Sequence, residues 1–188
     1  MGRFLSESFP GMVLSADERA RAPEADEISS PTALMFSSVC ESSFWLISVN
    51  FQPPTASVPV GYRADTGLVF DAVRGYGWDA PLVSRDRNSQ VPQALDTFVF
   101  SLLARTWELA LPNGKYEVLV SVGDACCSQG PQRVIVEGAT AINGKVTAAG
   151  EFVEKSAVVQ VSDGRLTVQI GGAGGNTMLN QIVVASVP

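Results

Sequence analysis

Hydrophobic and polar residues alternate in several short segments of this chain, and this alternation limits its fold more than any other feature. In the segment KYEVLVSV, Tyr116, Val118, Val120 and Val122 fall on one side of an extended chain. A side-chain period of two is that of a β-strand with one buried face, so these residues are predicted to be core. Two further segments share the pattern: RLTVQI with Leu166, Val168 and Ile170, and WELAL with Trp107, Leu109 and Leu111.

The segments between these strands carry turn residues. Asn113-Gly114, Asn143-Gly144 and Asp163-Gly164 stand beside β-like segments, and such pairs accept the positive φ angles of tight hairpins. The segment PQALDTFVFSLLARTW is ambiguous between a helical turn and a strand, and no long amphipathic helix interrupts the series. The sequence therefore predicts an all-β fold, most simply two packed antiparallel sheets in a β-sandwich.

The 188 residues divide into two parts by composition. Residues 1–45 form a predicted leader or arm that begins polar and acid-rich, and residues 46–188 form the predicted β-sandwich domain. No apolar run approaches the roughly 18 residues of a membrane helix. The first residues lack an apolar signal-peptide core, so the chain is expected either to use another route or to begin after a targeting segment.

Charge and the lack of histidine narrow the function classes. The formal net charge is −6, which disfavours a basic surface for nucleic acid. Without histidine the chain cannot build a Ser-His-Asp or Cys-His catalytic site or a histidine zinc site. Aspartates are frequent in the predicted loops, but their spacing singles out no catalytic pair. The protein is therefore expected not to be an enzyme.

The three cysteines do not indicate a disulfide scaffold. Cys126 and Cys127 are adjacent and could bridge only through a strained ring, and Cys40 stands alone, so at most one ordinary disulfide is expected. The segment DACCSQ lacks a second pair of ligands, which makes a metal site there a poor expectation.

The segment VPVGYRADTGLVFDAVRGYGWDA, residues 58–80, has no strand or helix period and is rich in glycine and aromatic residues. In one interpretation, Tyr62, Tyr76 and Trp78 cover an open end of the sandwich while Asp65 binds loop amides. In the other, the same residues form a sugar cradle, because aromatic rings pack on a pyranose and polar side chains bind its hydroxyls. Both interpretations place Trp78 at a loop end, whereas Trp107 is predicted to be core.

The segment RDRN that follows adds two candidates, Arg85 and Asn88. An arginine there could bind the carboxylate of an anionic sugar bidentately, or it could pair with neighbouring aspartates and fix the loop. The candidate ligand-binding set predicted from the sequence is thus Tyr62, Asp65, Tyr76, Trp78, Arg85 and Asn88.

Several motifs occur in an order that resembles a known family. VNFQP is followed by VPVGYRADTGLVF, RGYGWD, RDRN, WELALPNGKYEVLVSVGD, VSDGRLTVQIGG and NTMLNQIVV. Over residues 46–188 this is similar to the galactose-binding-like jelly-roll domains, related to malectin-like and carbohydrate-binding modules of bacterial surface and phage virion proteins. The resemblance implies an antiparallel jelly-roll β-sandwich.

The resemblance also implies a function and leaves an alternative open. It implies a non-catalytic carbohydrate-binding module for recognition or adhesion, with no cofactor except a structural calcium ion that such modules often hold. The alternative is a structural assembly protein of a virion or surface layer that uses the same fold. The expected partners are a glycan or neighbouring protein subunits, in a homo-oligomer or larger assembly at an extracellular or virion surface.

Overall fold

In the computed structural model, residues 46–188 are described, and the predicted arm, residues 1–45, lies outside them. One short helix interrupts a series of strands in these residues. The elements are β1 Leu46–Phe51, β2 Tyr62–Asp65, β3 Tyr76–Trp78, β4 Val83–Asp86, α1 Gln93–Asp96, β5 Thr97–Ser101, β6 Arg105–Ala110, β7 Gly114–Gly123, β8 Gln129–Val136, β9 Ala139–Thr147, β10 Phe152–Val161, β11 Arg165–Ile170 and β12 Thr177–Ser186.

The strands form two sheets, which confirms the predicted all-β sandwich. The larger sheet has the order β10-β7-β12-β1-β2, with β5 paired to β12 and β4 paired to β5. The smaller sheet has the order β3-β6-β11-β8-β9. The pairing is antiparallel apart from β1 and β2, which run parallel because residues 52–61 return the chain along the sheet before β2 begins.

The core lies between the sheets and contains the residues that the alternating pattern predicts. Trp107 and Val168 face each other across β6 and β11, and neither is exposed to solvent. All seven residues predicted to be buried on β7 and β11 are buried: Tyr116, Val118, Val120, Val122, Leu166, Val168 and Ile170. β7 and β11 therefore direct their apolar faces inward, toward the core between the two sheets.

The three glycine dipeptides do not form the predicted hairpins. Asp163-Gly164 links β10 to β11, and Asn113 precedes β7 where the chain leaves β6, so both turns pass between the two sheets. The Asn113 side chain holds these crossings together by donating to the Ser162 carbonyl at 3.0 Å and accepting from the Gly164 amide at 2.8 Å. Asn143-Gly144 lies inside β9.

A tight hairpin occurs instead at Glu137-Gly138, between β8 and β9. Both residues have positive φ, 46° and 74°, as a type I′ turn requires.

The described residues contain no helix long and apolar enough to cross a membrane.

Candidate functional site

The glycine-rich segment builds the end of the core. Trp78 is only 1% exposed because β3 pairs with β6, where Trp78 lies opposite Trp107. The prediction that Trp78 lies at a loop end is therefore wrong. Gly77 alternates with the inward-facing Tyr76 and Trp78, and a Cβ at Gly77 would lie 2.6 Å from the backbone of Phe70. The GYGW pattern is thus a strand that packs closely against a neighbouring segment.

Asp65 is the polar centre of this cluster. Its carboxylate is 1% exposed and accepts hydrogen bonds from Trp78 Nε1 at 3.1 Å, Trp107 Nε1 at 2.8 Å and the Gly67 amide at 2.7 Å. Burial raises the pKa of Asp65, although these hydrogen bonds and the charge of Arg74 act in the opposite direction. The side chain thus satisfies two indoles that would otherwise be buried without a partner.

Aromatic packing surrounds this carboxylate. The Phe51 ring packs edge-on against Trp78 and Trp107, with centroids 5.7 and 5.6 Å apart. Tyr76 is 8% exposed, and its hydroxyl donates to the Ala64 carbonyl at 2.9 Å. Asp65, Tyr76 and Trp78 therefore present no open surface to a sugar. Tyr76 and Trp78 pack at the end of the core, as in the first interpretation, but Tyr62 does not join them.

Tyr62 lies elsewhere, on the outer face of the larger sheet. Its hydroxyl donates to Gln181 Oε1 at 2.6 Å, and Gln181 Nε2 donates to Ser121 Oγ at 3.0 Å. Ser121 Oγ in turn donates to Glu154 Oε1 at 2.8 Å. Burial, followed by the charge of Glu154, raises the pKa of Tyr62. These residues form a polar row across β2, β12, β7 and β10, in which Tyr62 is already hydrogen-bonded within the protein.

Asn88 lies in the loop after β4. It has a positive φ of 50°, and its amide donates to Asp86 Oδ1 at 2.8 Å. The Asp86 side chain thus forms the turn, and Asn88 takes a left-handed conformation that asparagine tolerates. The six predicted residues are thus divided between the buried end of the core, the polar row, the loop after β4, and β4 itself, where Arg85 lies.

Arg85 borders a cleft of about 310 Å³ on the outer face of the larger sheet. Strand pairing explains its floor: Val99 of β5 faces the core, so Phe98 and Phe100 face outward. β4 places Arg85 opposite Phe98, and β12 places Met178 opposite Phe100. The cleft is lined by Arg85, Arg87, Phe98, Phe100, Gln129, Asn176 and Met178.

The two arginines of the cleft lie over its phenylalanines. The Arg87 guanidinium is 5.2 Å from the centroid of the Phe98 ring, which is fully buried. The Arg85 guanidinium is 5.3 Å from the centroid of the Phe100 ring, which stays partly exposed. Cation–π contacts of this kind hold a guanidinium in place while leaving its N–H groups free to donate.

Arg87 is fixed by a buried carboxylate. Its Nε and Nη2 donate to the two oxygens of Asp124 at 2.8 and 2.6 Å, a bidentate pair. Burial by itself raises the pKa of Asp124, but hydrogen bonds from Arg87, the Cys126 amide and Gln129 outweigh it, and the pKa is lowered overall. The hydrogen bond to Asp124 raises the pKa of Arg87. The arginine–aspartate pairing predicted for the RDRN segment thus occurs at Arg87, with an aspartate from the loop after β7.

The loop that carries Asp124 also contains the adjacent cysteines. Cys126 and Cys127 are joined by a disulfide, and Gln129 Nε2 donates to Asp124 Oδ2 at 3.1 Å. Asp124 and the two cysteines are close enough to resemble a metal-ligand group. Both carboxylate oxygens, however, accept hydrogen bonds and both sulfurs are bonded to each other, so these residues do not fit a metal ion. The structural calcium ion implied by the resemblance stays a prediction.

Sequence reasoning missed most of this cleft. Phe98 and Phe100 alternate with core-facing Val99, and Arg85 and Arg87 have the same period of two. Two adjacent strands whose outward positions are aromatic on one and cationic on the other constitute a recognisable signal. Gln129 and Asn176 carry no comparable signal, because Gln129 begins β8 and Asn176 directly precedes β12, both far from β4 and β5 in the sequence.

Comparisons with known proteins extend the fold assignment. No protein-family model and no curated protein matches the sequence. Solved structures that resemble it include the protein YxiM from Bacillus subtilis, with a TM-score of 0.60 and 22% identity over 76% of this chain and 40% of that one. The extracellular domain of ANXUR2 from Arabidopsis thaliana has a TM-score of 0.56 and 12% identity over 76% of this chain and 49% of that one.

A third neighbour is a β-glucuronidase from Bacteroides uniformis, with a TM-score of 0.52 and 10% identity over 77% of this chain and 18% of that one. The matches thus span less than half of each of these three chains. At such identities the likeness shows the fold alone, and it is consistent with the galactose-binding-like β-sandwich expected from the sequence.

Proposed function

We propose that the domain of residues 46–188 is a non-catalytic carbohydrate-recognition module and that it binds its ligand in the cleft beside Phe100. The observation that carries this proposal is a partly exposed aromatic ring next to polar side chains with hydrogen-bonding capacity to spare. A pyranose offers an apolar C–H face for such a ring and hydroxyls for such side chains. The cleft therefore offers both kinds of contact that a sugar needs.

Two amides supply the hydrogen-bonding groups. Gln129 uses its Nε2 for Asp124, which leaves its carbonyl oxygen as an acceptor. Asn176 borders the cleft with a side-chain amide that offers both donors and an acceptor. Sugar hydroxyls donate and accept at once, so a pair of amides suits them.

The state of Asp124 supports a binding role over a hydrolytic one. Glycosidases need one carboxyl able to exchange a proton and a second carboxyl nearby. Here the buried carboxylate of Asp124 is held by Arg87, which lines the cleft, in a bidentate pair, and its pKa is lowered. A carboxylate committed in this way is poorly suited to act as a general acid.

The structural neighbours support an extracellular location for this domain. One is the extracellular domain of ANXUR2, and another is the plant receptor-like kinase FER, which was crystallised in complex with the peptide RALF23. We extend the extracellular setting to this chain as part of the proposal, on a cell or virion surface.

A second function, assembly within a virion or surface layer, is favoured by a different observation. Several apolar side chains on loops of the domain are exposed, among them Val60 at 101%, Val73 at 97% and Leu103 at 62%. Apolar loop tips are surfaces that neighbouring subunits can cover. One molecule can carry out both functions, because assembly would use the exposed loop tips and sugar binding would use the cleft.

A glycan array run beside size-exclusion chromatography with light scattering tests the two functions. We expect defined glycans to bind the wild type and Phe100→Ala to remove that binding, because the substitution removes the stacking ring. Phe70→Ala is the matched control, since Phe70 is also partly exposed but lies outside the cleft. If the folded wild type binds no glycan and forms a defined oligomer, the recognition function is wrong and the assembly function is supported.

A further inference from the structure

We infer that the cleft selects an acidic saccharide, whose carboxylate pairs with Arg85. This inference rests on the proposed function of the same cleft and specifies its ligand class. The two arginines that line this cleft differ in their partners.

The charge of Arg87 is compensated by a carboxylate, whereas within residues 46–188 the charge of Arg85 is not. Asp124 accepts two hydrogen bonds from Arg87, at 2.8 and 2.6 Å. Among residues 46–188, no carboxylate oxygen lies within 4.0 Å of an Arg85 nitrogen. Arg85 is instead exposed and stacked near Phe100, so its planar N–H edge is available to a ligand. A guanidinium in this state is the group that binds a carboxylate bidentately.

The surroundings of Arg85 match a sugar acid better than a simple anion. Phe100 supplies an apolar face directly beside the cation, and Asn176 and Gln129 supply amides for hydroxyls. The volume of about 310 Å³ is near the lower end of ligand pockets, which run from about 300 to 1,000 Å³. The cleft therefore suits one acidic sugar unit, with the rest of a chain left outside it.

The net charge of the protein separates local pairing at Arg85 from a general attraction to acidic polymers. A protein of formal charge −6 repels polyanions at long range, so a general attraction to acidic polymers is not expected. Binding of an acidic sugar would have to come from the local pairing at Arg85. Removal of the ligand carboxylate charge and removal of the Arg85 charge should then have the same effect.

Isothermal titration calorimetry with the full chain tests this equivalence. The probes are a trigalacturonate, a glucuronate oligosaccharide and sialyllactose, each beside its methyl ester, which keeps the sugar and removes the charge. We expect at least one acid to bind, its ester to bind at least tenfold more weakly, and Arg85→Gln to weaken the acid by a similar factor. Arg85→Lys should recover part of the affinity, because it keeps the charge without the planar fork.

Arg63→Gln is the matched control, since Arg63 is an exposed arginine on β2, outside the cleft, and should leave the affinity unchanged. Equal binding of acid and ester, or unchanged acid binding by Arg85→Gln, would overturn the inference. If neutral glycans bind on the array and no acid binds, the acidic selection is wrong and the recognition function stands. If neither class binds, both are wrong.

Discussion

Replacement of Asp65 by alanine should destabilise the domain more than its position beside a loop suggests. The side chain is the shared acceptor for Trp78 Nε1, Trp107 Nε1 and the Gly67 amide, at 3.1, 2.8 and 2.7 Å. Both tryptophans are buried, at 1% and 0% exposed. In Asp65→Ala the two indole N–H groups would remain in the core without a partner.

The magnitude follows from the three lost acceptor contacts. A buried donor left unsatisfied costs about 1–3 kcal/mol. Three such donors would cost about 3–9 kcal/mol if they were independent, but the wild type also carries the cost of burying a carboxylate. We therefore expect a loss in the lower half of that range, about 3–5 kcal/mol in the free energy of unfolding. Since a domain is stable by only about 5–15 kcal/mol, this loss should be easy to measure.

Urea unfolding followed by circular dichroism measures the effect, and the same segment supplies the control. Asp71 also accepts amide hydrogen bonds, from Val73 at 3.1 Å and Arg74 at 2.8 Å, but it is exposed. In Asp71→Ala these amides can bind water, so a loss below about 1 kcal/mol is expected.

Asp65→Asn provides a second variant if the alanine protein does not fold. It keeps one carbonyl oxygen and turns an amide NH₂ group toward a donor, so its loss should lie between those of Asp65→Ala and Asp71→Ala. Equal stabilities of Asp65→Ala and Asp71→Ala would refute the role of the shared acceptor.

Three further outcomes can be checked by denaturation. Trp107→Ala and Trp78→Ala should each cost about 3–5 kcal/mol through the cavity that they leave, and an unchanged melting temperature of Trp78→Ala would contradict its burial. Gly77→Ala should destabilise more than Gly138→Ala, because both have positive φ but only Gly77 faces backbone 2.6 Å from the new Cβ; equal losses would refute the close packing. The pKa of Asp124 is lowered in the folded state, so its stabilisation is complete above the ordinary pKa of about 3.9 and is lost as pH falls through the folded value. The stability gap between wild type and Asp124→Asn should therefore be constant near neutral pH and shrink below about pH 4, and a gap independent of pH would count against the ion pair.

The fold follows from the sequence wherever one strand repeats a simple pattern. β7 and β11 alternate so regularly that each residue assigned to their inner face is buried. The inner face of an alternating strand can be predicted without knowing which strand pairs with it, because the opposite sheet covers that face in either sheet of the sandwich. This is why the two-sheet class was predictable and the order of strands was not.

The glycine dipeptides show which part of a turn the local residues do not determine. Asp163-Gly164 allows the chain to turn, and the dihedral preference of Gly164 is realised at φ +83°. Whether the turn joins neighbours in one sheet or passes to the other depends on which strands pair, and that is decided by contacts far apart in the chain. The local residues determined that the chain turns at this point. The packing of the sheets determined in which sheet the next strand lies.

The site divides in the same way. Composition and alternation alone indicated aromatic and cationic residues on loops and strands, and the chemistry of arginine predicted Arg85 as a candidate ligand-binding residue. Only the tertiary structure decided that Trp78 faces inward against Asp65 and that Phe100 faces outward beside Arg85. The physical reason is that a side chain becomes a core residue or a ligand platform according to which sheet face it occupies. In strands as short as β3 and β5 that face is set by long-range register between strands, because so few alternating residues do not determine it.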